Sequence, residues 1–246
     1  MTIYAIGDIH GHLDKLRLAH ARIAADRAAH DADAALVVHT GDLVDRGPDS
    51  AGVVSWLMQA QAADARLIVL TGNHDQMFTR WLETGPTPDP RDPPHVRYLS
   101  EGAGGSATLA SYDIDPTGPP DDVHAEATAK VPTAHRAWLA GLPVTHQAEG
   151  CIFVHAGLRP GIPLDRQDKA DLVWIRDDFL TDTGDHGAFV VHGHTPVKSV
   201  EHHPNRLNID TGAAWGGPVT AVVIDAAGVW QLTDKGRRAV PRLGPA

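Results

Sequence analysis

Five short motifs in the chain combine glycine with side chains that could bind a metal ion. They lie at residues 7–11, 41–47, 72–75, 154–157 and 191–195 and carry aspartate, asparagine or histidine. This mixture of carboxylate, amide and imidazole groups, without thiolate, suits Mn, Fe, Zn or Co better than Cu(I) or an iron–sulfur cluster. Burying so many polar groups together without a ligand would be costly. The motifs therefore predict a metal centre.

The number of potential ligands indicates how many ions this centre would hold. The motifs offer at least six ligands, too many for one ion that keeps an open coordination position. Two ions that share a carboxylate would accommodate six, and such a pair can stabilise both the attacking and the leaving oxygen of a displacement at phosphorus. Asp42 belongs to the motif at 41–47, the middle one of the first three, and is the expected shared ligand.

Apolar runs and amphipathic stretches alternate through the N-terminal half. This predicts strands at 2–6, 35–39 and 67–70 and helices at 13–28 and 50–62. Such alternation favours a largely parallel sheet with helices on its faces, in which ligands bind beyond the carboxyl ends of the strands. The first three motifs directly follow these strands, so we expect them to converge at one edge of the sheet.

Further strands are predicted in the C-terminal half. The apolar runs lie at 150–154, 188–191, 206–209, 219–224 and 229–232. Because no long helices separate them, they predict a second, mainly antiparallel sheet. The chain is thus expected to belong to the α/β class, as a two-sheet α/β/β/α sandwich.

Two other segments lack a clear strand or helix pattern. Residues 85–94 are rich in Pro, and the helical pattern from 96 to 142 is interrupted by glycines, so we expect a small helical cap over about 85–142. The tail at 235–246 shows no periodicity and is expected to be loose. Residues 1–246 would then form a single domain.

The composition limits the partners and the compartment. Lys and Arg number 21 against 31 Asp and Glu, and the net charge of −10 argues against a nucleic-acid surface without excluding a pocket for one phosphate. Cys151 is the only cysteine, so the fold needs no disulfide, and the residue pattern leads us to expect neither a secretory leader nor a membrane-spanning segment. We expect a cytoplasmic protein that binds neither nucleic acid nor a membrane.

Taken together, the motifs resemble a known family. Gly-Asp-x-His-Gly, Gly-Asp-x-x-Asp-Arg-Gly, Gly-Asn-His-Asp, His-Ala-Gly and Gly-His-Thr-Pro resemble the phosphoprotein phosphatase branch of the calcineurin-like metallophosphoesterases. The resemblance extends from Gly7 to Pro196, returns at 209–213, and is close to small bacterial and phage enzymes. It implies a hydrolase acting on phosphoserine and phosphothreonine in proteins. The alternative is a symmetrical diadenosine tetraphosphate hydrolase, which shares nearly all of the metal motifs.

The resemblance also implies a role for each motif residue. One metal ion would be held by Asp8, His10 and Asp42, and the other by Asp42, Asn73, His155 and His194. The two divalent ions, Mn first and otherwise Fe, Zn, Co or Mg, would hold a bridging hydroxide as the nucleophile. His74 would be the general acid and Asp45 the carboxylate that orients it. Arg46 and Arg176 would bind the substrate phosphate.

A few positions depart from the family pattern. Thr71 stands where phage-type relatives usually carry Arg, so one positive contact is missing. His192 is additional, and a packed neutral imidazole is favoured over a role near the metals. Arg159 is an alternative to Arg176. The remaining histidines on polar stretches are expected to be solvated: His20, His30, His124, His202 and His203.

Two alternatives to a protein phosphatase remain. A dinucleotide hydrolase would need adenine recognition in the cap, where Tyr98 and Tyr112 could stack, although single aromatics in short helices usually belong to the core. A non-catalytic scaffold with this fold would lack metal ligands or the acid. All of these residues are present, so the sequence favours an enzyme.

Overall fold

The computed structural model describes residues 2–94 and 96–244. Its strands are β1 (Ile3–Ile6), β2 (Leu36–His39), β3 (Leu67–Val69), β4 (Thr145–Ala148), β5 (Cys151–Val154), β6 (Phe189–His192), β7 (Glu201–His202), β8 (Arg206–Asn208), β9 (Ala221–Asp225), β10 (Gly228–Thr233) and β11 (Gly236–Ala239). Its helices are α1 (Leu13–His30), α2 (Ser50–Ala63), α3 (Asn73–Thr84), α4 (Gly105–Ser111), α5 (Pro120–Lys130), α6 (Thr133–Ala140), α7 (Lys169–Trp174) and α8 (Asp177–Leu180). Within the described residues, no helix is long and apolar enough to cross a membrane.

The first sheet has the strand order β11-β10-β9-β1-β2-β3. Strands β1, β2 and β3 pair in parallel, and α1 and α2 connect them. Every residue of β1 is buried, as expected for a central strand covered on both faces. The strands and helices predicted in the N-terminal half are confirmed, with ends shifted by at most two residues.

The second sheet has the order β4-β5-β6-β8-β7. Its central strands β5, β6 and β8 run parallel, while the edge strands β4 and β7 are antiparallel. The prediction of a mainly antiparallel sheet is therefore wrong. Helices α7 and α8 lie between β5 and β6 and supply the long crossover that a parallel pair needs. The runs at 219–224 and 229–232 extend the first sheet instead, because β9 pairs with the free edge of β1.

The two sheets pack face to face through an apolar layer. Ile3 and Val38 of the first sheet lie in one buried cluster with Phe153 and Leu207 of the second. Helices α1 and α2 cover the opposite face of the first sheet, and Phe179 of α8 packs on the outer face of the second. The two-sheet α/β/β/α sandwich is confirmed.

The segment 85–142 contributes helices that pack beside α2 and α3. Helix α4 contacts α2, α5 contacts α3, and α6 contacts both. Leu109, Val123 and Leu139 share one apolar cluster with Phe78, so the helices of the expected cap are built into the outer layer of the first sheet. The part of the segment that borders the candidate site lies between Val96 and Ala103.

The C-terminal tail is not loose throughout its length. Strand β11 pairs antiparallel with β10. The Arg237 guanidinium donates to Asp26 of α1 at 2.7 Å and to Asp225 of β9 at 2.6 Å. The expectation of a loose tail is therefore wrong for residues 236–239, and its last two residues lie outside the described ranges.

Candidate metal centre

The five motifs meet at the carboxyl ends of β1, β2, β3, β5 and β6. Several of their residues have left-handed backbone conformations, with φ of 47° at His10, 52° at Asp42 and 65° at His194. Asp45 and Arg46 are also left-handed, at 73° and 69°. Residues other than glycine are strained in this region, and such strain concentrates at functional sites. The backbone conformation by itself therefore indicates a functional site at these strand ends.

Two glycines allow the backbone to approach the carboxylates closely. A Cβ atom on Gly72 would lie 2.1 Å from Oδ1 of Asp42, and one on Gly193 would lie 2.0 Å from Oδ1 of Asp8. Any side chain at either position would have to displace the carboxylate. Glycine is therefore required for steric reasons at these two positions beside the predicted ligands.

The imidazoles of His10 and His155 are each oriented by a backbone carbonyl. Nδ1 of His10 lies 3.0 Å from the carbonyl oxygen of Val44, and Nδ1 of His155 lies 2.9 Å from that of Thr40. A carbonyl can only accept, so these partners place a proton on Nδ1, and in the neutral imidazole Nε2 then carries the lone pair. Histidines that bind metal ions are commonly oriented by such a bond.

Asp42 lies between the two imidazoles. Its Oδ2 is 3.4 Å from Nε2 of His10, and its Oδ1 is 3.3 Å from Nε2 of His155. Burial alone would raise the pKa of Asp42, but the imidazoles of His155 and His74 outweigh it and hold the pKa well below its usual value. Nε2 of His155 also lies 3.0 Å from Oδ1 of Asn73. Atoms with lone pairs converge here, which favours a cation among them.

Asp8 lies beside the same group, with Oδ2 accepting the backbone N–H of His194 at 3.2 Å. Burial raises the pKa of Asp8 well above its usual value, and the carboxylates of Asp210 and Asp42 raise it further. A divalent cation would relieve this repulsion. Asp210 lies in the sequence stretch at 209–213 that shares the family pattern.

Two triads have ligand atoms within 4.8 Å of one another: His10 with Asp42 and His74, and Asp42 with His155 and His194. The triads share Asp42, as expected for a bridging ligand. His74, and not Asp8, completes the first triad. Nε2 of His194 is buried without a hydrogen-bond partner, which is costly unless a ligand occupies the site. The donor set therefore fits two divalent ions.

His74 is paired with Asp45. Nδ1 of His74 lies 2.7 Å from Oδ2 of Asp45, and neither side chain is more than 5% exposed. Since the Asp45 carboxylate accepts the proton on Nδ1, Nε2 of His74 is the nitrogen available to a substrate. The backbone N–H of His74 donates to Asp42 at 3.0 Å, which fixes this pair against the centre.

A cavity of about 270 Å³ opens beside the centre. Nη1 of Arg46 lies 3.0 Å from Nε2 of His10, and Nη2 donates to the carbonyl of Gly102. Arg176, which is exposed, donates to the hydroxyl of Thr195 at 3.3 Å. The cavity is lined by both arginines and by Asp42, Asn73, His74, Met77, Val96, Ser100, Gly102, Ala103, Trp174 and His194.

Arg159 is engaged elsewhere. Its guanidinium forms ion pairs with Asp171 at 2.6 Å and with Asp178 at 2.8 Å. Of the two arginines considered for the second phosphate contact, Arg176 is the one at the cavity wall.

The sequence profile of the calcineurin-like phosphoesterases matches residues 1–222. The chain belongs to this family. Family members hydrolyse phosphoesters at a dinuclear divalent metal centre, so this phosphoesterase is a hydrolase, as the motifs predicted.

The chain is also similar to curated proteins with two different names. Serine/threonine-protein phosphatase 1 of Salmonella typhimurium is 29% identical over 229 residues, which is 89% of each chain. Bis(5'-nucleosyl)-tetraphosphatase PrpE (asymmetrical) of Bacillus thuringiensis is 25% identical over 241 residues, 88% of each chain. The crystal structure of a cold-active protein-tyrosine phosphatase from a psychrophilic Shewanella species matches with a TM-score of 0.61. That match has 17% identity and covers 96% of this chain and 79% of the other, and it shows the fold alone.

The histidines outside the centre differ in their surroundings. His192 of the phosphoesterase is buried against Phe179, with its Nε2 3.4 Å from Arg206, and burial lowers its pKa to about 3. The packed neutral imidazole is thus the better interpretation.

Of the histidines expected to be solvated, His30 is exposed. The others are partly buried, so the expectation is wrong for His20, His124, His202 and His203.

Sequence reasoning missed several side chains that support the centre. Asp75 accepts the backbone N–H groups of Leu43 and Gly72 at 2.9 and 2.8 Å, which ties the loops after β2 and β3 together. Its place in the Gly-Asn-His-Asp motif could have suggested such a role. Tyr98 and Thr108 both donate to Asp45, and no motif marks either residue.

Proposed function

We propose that this phosphoesterase is a serine/threonine phosphoprotein phosphatase. The observation that carries the proposal is the cavity beside the centre, which is lined by His74 and Arg46 together with Trp174 and Arg176. Its volume of about 270 Å³ and partly apolar lining suit one phosphorylated side chain. The relative of 29% identity that is named a serine/threonine-protein phosphatase supports this choice.

Two divalent ions, Mn first, are proposed as the cofactor. Asp8, His10 and Asp42 would hold one ion, and Asp42, Asn73, His155 and His194 would hold the other. When bound, the ions neutralise phosphate charge and supply an ionised water at neutral pH. The carbonyl contacts that hold Nδ1 of His10 and of His155, and the unpartnered Nε2 of His194, support this assignment.

The remaining steps belong to the side chains of the chain itself. The ester bond between phosphorus and the substrate oxygen breaks, one water is consumed, and its oxygen ends in inorganic phosphate. His74 gives the proton on Nε2 to the leaving oxygen. Asp45 holds the imidazole through Nδ1 at 2.7 Å and so fixes the direction of Nε2. Arg46 and Arg176 would grip the phosphate oxygens that are not transferred.

A second candidate function is hydrolysis of a dinucleoside tetraphosphate. Tyr98 and Tyr112 are at most 9% exposed and cannot stack on adenine. Trp215, however, is 68% exposed, and its ring lies 5.0 Å from the guanidinium carbon of Arg46. This indole could stack on a base while Arg46 holds a phosphate. The relatives named asymmetrical tetraphosphatases favour this candidate.

One experiment separates the candidates. Chelator-treated protein, with Mn returned, is assayed on a phosphothreonine peptide and on diadenosine tetraphosphate side by side. Preference for the peptide supports the phosphatase, and preference for the dinucleotide supports the alternative. Release of ADP alone would indicate symmetrical cleavage, and ATP with AMP asymmetrical cleavage. Inactivity on both substrates with metal bound would contradict both candidates and support a scaffold.

We also propose that residues 1–246 act as one catalytic domain in the cytoplasm. The family profile and the named relatives run through most of the chain. The buried Cys151, the only cysteine, needs no oxidising compartment. The net charge of −10 supports small phosphorylated partners over nucleic acid.

A further inference from the structure

The two oxygens of the Asp45 carboxylate have different partners. Oδ2 faces Nδ1 of His74 at 2.7 Å. Oδ1 accepts the hydroxyl of Tyr98 at 2.9 Å and that of Thr108 at 2.7 Å. Asp45 is fully buried, and a buried carboxylate is stable only when its lone pairs are satisfied. One oxygen is thus fixed by hydroxyls so that the other meets the histidine.

Both hydroxyls come from the segment 85–142 and not from the motifs. Thr108 lies in α4, and Tyr98 lies in the stretch from Val96 to Ala103 that borders the cavity. The same segment holds the next residue, because Gly104 accepts the backbone N–H of Arg46 at 3.2 Å. The strained turn at Asp45 and Arg46 is therefore fastened from one side by this segment.

The two hydroxyls are well suited to hold this turn. Thr108 accepts the backbone N–H of Asp45 at 2.8 Å while donating to the carboxylate, so it fixes both ends of the residue. Burial raises the pKa of the Tyr98 phenol well above its usual value, and Asp45 raises it further. Tyr98 thus stays protonated and remains a donor.

We propose that Tyr98 and Thr108 are positioning residues, which lock the Asp45 carboxylate so that His74 is aligned to protonate the leaving group. The proposal rests on the role of His74 in the proposed function. It assigns the segment 85–142 a part in the chemistry: its hydroxyls complete the acid site. Without them the carboxylate would turn, and the imidazole would lose its fixed direction.

The test is the dependence of turnover on the leaving group. Phenyl phosphate has a poor leaving group that needs a proton, whereas p-nitrophenyl phosphate has a good one that needs it less. We expect Tyr98→Phe to lower kcat on phenyl phosphate about tenfold. The loss on p-nitrophenyl phosphate should be much smaller, with KM and the content of bound Mn unchanged. Thr108→Val should act in the same direction, and Thr108→Ser, which keeps the hydroxyl, should restore kcat.

Tyr112→Phe is the matched control. The rings of Tyr98 and Tyr112 lie 5.8 and 6.0 Å from that of Phe78, and both residues are buried. The Tyr112 hydroxyl, however, lies 3.0 Å from Nδ1 of His135 and does not reach Asp45. Loss of a buried tyrosine hydroxyl in general would therefore affect both variants. We expect Tyr112→Phe to leave the leaving-group dependence unchanged.

The variant His74→Asn distinguishes the role of His74 as the acid from the role of Tyr98 as a positioning residue. If it shows the leaving-group dependence and Tyr98→Phe does not, the positioning proposal is wrong and the acid remains. If His74→Asn loses activity equally on both substrates, the assignment of the acid fails and the proposal fails with it. Equal losses on both substrates in Tyr98→Phe, or loss of bound Mn, would likewise overturn it. Aryl phosphates give this answer whichever physiological substrate is correct.

Discussion

Nδ1 of His155 lies 2.9 Å from the carbonyl oxygen of Thr40, and this contact joins the two sheets at the candidate metal centre. His155 follows β5 of the second sheet, and Thr40 follows β2 of the first. The carbonyl of His155 in turn accepts the backbone N–H of Gly193 at 2.8 Å, after β6. The centre therefore depends on the packing of one sheet on the other, and its ligands cannot be provided by either sheet alone.

Replacing the shared carboxylate should remove the ions. In Asp42→Asn we expect bound Mn to fall from about two ions per chain to less than one, because a charged ligand common to both ions is lost. Metal analysis after gel filtration measures this. Asp64→Asn, at a carboxylate that pairs with Arg66, is the control and should keep both ions. Two tightly held ions in Asp42→Asn would contradict the bridging assignment.

Replacing the proposed acid should affect turnover and not metal content. We expect His74→Asn to slow hydrolysis of a phosphothreonine peptide by roughly 10² to 10⁴, since its alkoxide leaving group needs a proton. The rate of hydrolysis of an aryl phosphate such as p-nitrophenyl phosphate, whose leaving group needs the proton less, should fall less. Steady-state kinetics on both substrates, with Mn measured in parallel, provide the comparison. A parallel loss on both would exclude His74 as the proton donor.

The Arg46 guanidinium should matter for its shape as well as its charge. Arg46→Lys keeps the charge but loses the planar pair of donors that matches phosphate, so we expect kcat/KM to fall by about 10- to 100-fold. Arg176→Lys is the comparison variant. Because Arg176 is exposed and, among the described residues, donates one side-chain hydrogen bond, to Thr195, its replacement should cost less. A larger loss in Arg176→Lys would reverse the assigned importance of the two residues.

The sequence predicted the parts of the fold that are local. Strand and helix periodicity located β1, β2, β3, α1 and α2, and each motif followed a strand end. The pairing of β9 with β1 was not predicted. It involves residues more than 200 positions apart, and an apolar run does not indicate which strand it will pair with.

The support of Asp45 could not be read from the sequence for a similar reason. Tyr98 and Thr108 lie 53 and 63 positions away from it. The sequence does not indicate which distant group a hydroxyl on an interrupted helical segment will contact. His20 is different. It lies four residues after Leu16, which is buried, so the helical period of α1 could have shown that it turns toward the sheet.

A pair of histidines, one partly buried and one fully buried, should make folding sensitive to acid. Nε2 of His20 lies 2.9 Å from Nε2 of His39. Burial, with Arg27 nearby, lowers the pKa of His20 to about 4, and burial beside His20 lowers that of His39 well below its usual value. Between the usual value of 6.5 and about 4 the unfolded chain binds more protons than the folded one. The free energy of unfolding should therefore fall as pH decreases through this range.

The variant His20→Gln tests this contribution. Its free energy of unfolding should fall less than that of the natural chain between about pH 7 and pH 4.5, by roughly 1–2 kcal/mol. Urea unfolding with chelator present in both proteins measures the difference, because the other buried histidines are common to both. Identical pH dependence in the two proteins would show that His20 takes up its proton in the folded state.

The ion pairs of Arg237 should stabilise the fold without affecting the reaction. Arg237 is 15% exposed and bonds to Asp26 and Asp225, whose side chains are 5% and 15% exposed, so its removal takes the guanidinium partner away from two largely buried carboxylates. We expect Arg237→Ala to lower the free energy of unfolding by about 3 kcal/mol. Arg22→Ala, which breaks a pair with the 75% exposed Asp234, should cost less than about 1 kcal/mol. Urea unfolding measures both values, and kcat of either variant should match the natural chain. Equal costs in the two variants would mean that strand β11 does not depend on this network.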